Sequence, residues 1–125
     1  MKVEEAIWRD LEEGDFFIYN FFYTREEFDD KNFPPGVLIA KVIEITRRAP
    51  PTSPDSITFQ EIIGTTRVSS GIITVAIPSN GVGVLQNITA SYGSACEIIG
   101  KIVFEEGECI DNEYSFEELF PEYCI

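Results

Sequence analysis

The stretch Phe16-Phe17-Ile18-Tyr19-Asn20-Phe21-Phe22-Tyr23 places seven large apolar or aromatic side chains in eight positions, inside a chain whose net charge is −13. Aromatic and β-branched residues fit a pleated, half-buried surface better than a helix, so the stretch reads as a strand. Its two parities are Phe16, Ile18, Asn20 and Phe22 on one face and Phe17, Tyr19, Phe21 and Tyr23 on the other. Both faces therefore need cover.

Working outward, the same chemistry recurs. Ile outnumbers Leu by 17 to 4, with eight Val added. Strand-length runs lie at Val37 to Thr46, Ile57 to Ile63, Ile72 to Ile77 and Glu97 to Phe104. They are set apart by Pro34-Pro35-Gly36, by Ala49 to Ser56 and by Pro78-Ser79-Asn80-Gly81, all turn-forming combinations. Ile57, Phe59 and Ile63 share one parity against Thr58 and Gln60, a half-buried pattern. Val37 to Ile45 is apolar on both parities and is expected to be covered on both sides.

Helical signals are confined to the acidic ends. Val3, Ala6, Ile7 and Leu11 form a narrow stripe closed by Gly14, which predicts an amphipathic helix over Lys2 to Glu13. Thr24-Arg25-Glu26-Glu27 and Ser115-Phe116-Glu117-Glu118 match the capping box, in which the hydroxyl accepts a hydrogen bond from the third helical N–H. Short helical turns are predicted near 24–30 and 115–120, the second stopping before Pro121. With 125 residues the chain suits a single domain burying roughly 65–70% of its unfolded surface. The expected fold is mainly β: a small barrel or sandwich of five to seven strands, spanning residues 1–125 as one domain. The Lys2 to Glu13 helix, with Trp8, is expected to cover one face of the aromatic strand.

The acidic residues are unevenly placed. Ten lie between Glu4 and Asp30, eight between Glu105 and Glu122, and only Glu44, Asp55, Glu61 and Glu97 lie between. Global adaptation to salt would spread them over the whole surface. A pI near 4.2 repels bare nucleic acid and anionic membranes, so neither is an expected partner. Self-repulsion among these charges should be screened by salt, raising the melting temperature from low to moderate ionic strength.

The chain contains no histidine, which removes the commonest general base and transition-metal ligand. Phosphate-binding, dinucleotide, nucleophile-elbow and paired-cysteine motifs are absent from it. Gly93-Ser94-Ala95 is like a nucleophile turn only in outline, and no catalytic residue or cofactor is assigned. One enzymatic route stays open: Asp29 with Asp30, or Glu105, Glu106, Glu108 and Asp111, as a Mg²⁺ or Ca²⁺ site or an acid/base pair. Aromatic stacking of nucleic-acid bases would need a basic groove beside it, and Arg47-Arg48 is the only adjacent basic pair.

No signal-peptide pattern follows Lys2 and no run reaches membrane-spanning length, so a cytoplasmic location is expected, in the host cytoplasm if the protein is viral. Cys96, Cys109 and Cys124 lack metal-type spacing and are expected as reduced, partly buried thiols, with a Cys109–Cys124 bridge the alternative.

Glu13 to Tyr19 (EGDFFIY) preceding Gly36 to Ile45 (GVLIAKVIEI) resembles small barrels of the PUA and ASCH type, in which a Gly-Asp strand precedes a Gly-x-Val strand. Glu97 to Phe104 (EIIGKIVF) is similar to the end of LexA-like peptidase domains, whose catalytic Ser and Lys motifs have no counterpart here. Both resemblances imply a small β body, and neither transfers site residues.

The functional expectation is a non-enzymatic acidic binding protein whose carboxylates engage a basic protein surface. It would be a nucleic-acid mimic, a viral anti-defence protein or an immunity-type inhibitor. The carboxylates that would carry this are Glu26, Glu27, Asp29, Asp30, Glu105, Glu106, Glu108 and Asp111. Phe17, Tyr19, Phe21 and Tyr23 form a possible aromatic contact face within an acidic rim, the pattern of many tight interfaces. Homodimerisation through that face is equally open. The alternatives are a structural, self-assembling β protein with solubilising acidic ends and a metal-dependent carboxylate enzyme.

Overall fold

The structure is a computed structural model that describes residues 1–22, 25–32, 36–47, 55–64, 72–77, 84–86, 95–110 and 115–123. Its strands are β1 (Lys2–Glu4), β2 (Phe16–Phe22), β3 (Gly36–Thr46), β4 (Ser56–Gly64), β5 (Ile72–Ala76), β6 (Val84–Gln86) and β7 (Ala95–Val103), with short helices α1 (Arg25–Asp29) and α2 (Phe116–Leu119). All five strand-length runs of the sequence are strands.

The strands form one antiparallel sheet in the order β1-β7-β2-β3-β4-β5, with β6 also paired to β7. β2 runs along β7 from Ala95 to Lys101, while β6 pairs with Ala95 to Glu97 and β1 with Lys101 to Val103. β1 and β6 thus take the two ends of the other edge of β7.

Three register shifts bend the sheet. They leave Ile99 of β7, Ile62 of β4 and Ile43 of β3 without a partner residue opposite. Each extra residue kinks its strand and increases its twist. The bends bring β5 near β6, yet among the described residues no ladder joins them. The mainly β class expected from the sequence holds; among the described residues the strands make one curled sheet that is not closed into a barrel.

The N-terminal helix is also overturned. Lys2–Glu4 is a strand, and the only helical turn before β2 is a single 3₁₀ turn over Trp8–Asp10. Residues that would share one helical stripe are needed on opposite faces of the sheet: Val3 packs with an outer cluster, while Trp8 and Leu11 enter the inner one. A straight helix cannot serve both. Local polar closure holds the irregular chain instead, with Ile7 N–H donating to Asp10 at 3.0 Å and Glu12 N–H to Asp15 at 2.8 Å. Gly14, at φ 90°, makes the turn into β2, in the left-handed region that favours glycine.

The inner cluster is aromatic. Trp8, Phe17, Tyr19 and Phe59 are wholly buried, with ring centroids 5.5 Å apart for Trp8–Phe17, 5.1 Å for Phe17–Phe59 and 5.2 Å for Tyr19–Phe59. The outer cluster holds Ile18, Ile39, Ile63 and Ile102 under Phe116 and Phe120. The second face of β2 is therefore covered by the C-terminal segment and not by an N-terminal helix. β3 is buried on both parities from Val37 to Ala40, after which Ile43 is 44% exposed.

The two short helices fall where the capping boxes place them. Ser115 Oγ accepts from Glu118 N–H at 3.3 Å, and α2 ends before Pro121. Thr24, the cap expected for α1, lies outside the described residues. Gly100 lies against β1: a Cβ there would collide with the Glu4 carbonyl oxygen. No helix among the described residues is long and apolar enough to cross a membrane.

Candidate binding surface

Of the eight carboxylates singled out in the sequence, the seven among the described residues do not share one surface. β2 and β7 run antiparallel, with Phe17 opposite Lys101 and Phe22 opposite Ala95. Residues 105–108 follow the Lys101 end, whereas α1, carrying Glu26, Glu27 and Asp29, follows the Phe22 end. Those ends are separated by five residue steps, roughly 17 Å of strand. Glu26, Asp29 and Asp30 are exposed and Glu27 is half-buried; Asp30 accepts from Asn32 N–H at 3.0 Å. Asp111 lies outside the described residues.

Three of the eight lie at the Lys101 end. Glu105, Glu106 and Glu108 are exposed on a turn whose Gly107 has φ 85°. Glu108 accepts from Glu105 N–H at 2.7 Å and pairs with the Met1 ammonium at 2.5 Å. Those two hydrogen bonds, the ammonium's first, hold its carboxyl below the usual range. Beside Glu108 comes Asp15, at the end of the irregular segment that replaced the predicted helix and that also carries Glu12 and Glu13. Asp15 pairs with Lys101 at 3.3 Å, and Glu13 accepts from Ile45 N–H at 3.3 Å. Among the described residues, no cation pairs with Glu12, Glu105 or Glu106.

Between these groups lies an open groove of about 270 Å³ lined by Asp15, Phe16, Phe104, Glu108, Cys109 and Ile110 among others. Its aromatic floor is fixed by the edge-on pair Phe16–Phe104 at 5.4 Å, with Lys41 over the Phe16 ring at 5.6 Å. Cys109 is exposed and Cys96 buried; Cys124, and with it the suggested bridge, lies outside the described residues.

The aromatic contact face is corrected. Phe17 and Tyr19 have no exposed surface and Phe21 packs against the inner cluster, because the curl of the sheet turns this parity inward. Tyr23 lies outside the described residues. Neither a partner nor a stacked base can reach Phe17 or Tyr19 in this fold. Among the described residues no three Asp, Glu or Cys side chains come close enough to hold a metal ion. Arg47 lies 3.8 Å from Asp55, and Arg48 is outside the described residues.

Sequence reasoning missed a polar group in the core. Glu61, 5% exposed, accepts a hydrogen bond from the Tyr19 hydroxyl at 2.6 Å, with Cys96 in the same cluster. Burial, and then the Glu61 carboxylate, push the Cys96 thiol up to about 12. The same two causes, with Cys96 added, hold the Tyr19 hydroxyl well above its ordinary 10.0. The signal was present in β4, where Glu61 shares the parity of Ile57 and Phe59.

Searches against protein-family models, curated proteins and solved structures find no match for this chain.

Proposed function

We propose that the protein acts by binding, presenting the carboxylates at the Lys101 end of its sheet to a basic protein surface. The observation that carries this reading is the meeting of Asp15 and Glu108, from two acidic segments far apart in the chain, on one groove, with Glu12, Glu105 and Glu106 exposed on the same two segments. A preset group of carboxylates attracts a cationic partner at long range and weakens as salt is added. Standing in for nucleic-acid phosphates on a DNA- or RNA-binding enzyme, or covering a nuclease as an immunity protein does, are the two forms that such a surface serves.

The test compares the two ends. Immobilised protein is challenged with a basic protein such as protamine, and retention is followed through a salt gradient. Lysine at Glu105, Glu106 and Glu108 should abolish retention, whereas lysine at Glu26, Asp29 and Asp30 should lower it only in proportion to net charge. Equal losses from both triples would contradict an assigned end.

A further inference from the structure

Resting on that reading, we infer that the groove between Phe16, Phe104 and Ile110 is an anchor site for one apolar side chain of the partner, carried in a segment with basic residues on both sides. The carboxylates facing the groove are already engaged: Asp15 by Lys101 and the Glu12 N–H, Glu108 by the terminal ammonium and the Glu105 N–H. What the groove still offers is apolar surface. Among the described residues the carboxylates with no cation on the segments that flank it are Glu12, Glu105 and Glu106, so the complement is an apolar residue inside and lysine or arginine outside. At about 270 Å³ the groove falls below the roughly 300–1,000 Å³ of small-molecule pockets, a size for a single side chain. This is the arrangement of an interface hot spot, an anchor in an apolar pocket within a charged rim.

Two fluorescein-labelled pentapeptides test it at low salt by anisotropy: two lysines, two arginines and a central leucine, and the same peptide with central glycine. The leucine peptide should bind about tenfold more tightly, the gain from partial burial of one aliphatic side chain. Cys109→Ser should keep that difference, and Cys109→Trp, which fills the groove from an exposed position, should erase it. Equal binding of both peptides by the unaltered protein, or a difference that survives Cys109→Trp, would overturn the anchor site while leaving the acidic surface standing. Binding of neither would overturn both.

Discussion

Glu61 and Glu108 carry the same carboxyl group in opposite surroundings. Glu61 sits inside the curl of the sheet, hydrogen-bonded to Tyr19 among aromatic rings; Glu108 sits on an exposed turn at the Lys101 end, hydrogen-bonded to the chain's own ammonium and a backbone N–H. Inside, a polar atom that loses its partner bears the full desolvation cost. Outside, water replaces any lost partner, so charge there is nearly neutral for folding. The fold thus depends on the aromatic interior more than on the exterior carboxylates.

The largest expected effect lies in that interior. Phe17→Ala, which removes the ring packed on Trp8 and Phe59, should lower unfolding free energy by about 3–5 kcal/mol, read by denaturant titration. Tyr19→Phe leaves the buried Glu61 oxygen without its donor and should cost about 1–3 kcal/mol; no loss would mean that the two carboxylate environments differ less than the geometry implies. Gly100→Ala forces β1 and β7 apart and should cost roughly 1–3 kcal/mol, with exchange of the β1 amides accelerating first.

The interior should also announce itself at alkaline pH. The folded-state values of Cys96 and Tyr19 are raised above 9.0 and 10.0, so their contribution is complete below those values. It is lost as pH rises through the folded ones, because the unfolded chain releases protons that the folded chain retains. The melting temperature should fall above pH 9, and Cys96→Ala should blunt the fall. Smallest of all, Glu105→Gln and Glu106→Gln should each change stability by less than about 0.5 kcal/mol.

How much of this was legible in the sequence follows from which constraints are local. The five strand runs, the Ser115 cap and the stop before Pro121 were readable because turn residues and alternation act over a few positions. The N-terminal segment was misread because Val3 and Leu11 have helical spacing but are claimed by opposite faces of a sheet assembled from distant strands. The two-faced aromatic strand announced that both sides needed cover, yet which segment covers the outer face depends on the return of Phe116 and Phe120 to it. The curl of the sheet was not legible for a similar reason: the register shifts at Ile43, Ile62 and Ile99 arise from pairing and leave no local mark. At the candidate surface, the clustering of acids along the chain was visible. Their division between two ends of β2 was not, since it follows from the antiparallel pairing of β2 with β7.

The central claim is that association is assigned to one end of the sheet. Its most direct test is a backbone amide NMR titration of the intact protein with the leucine-centred basic peptide at low salt. Shifts confined to Glu12–Phe16 and Phe104–Ile110 are the predicted result. Shifts of equal size at Glu26–Asp30, or spread over every exposed carboxylate, would contradict it.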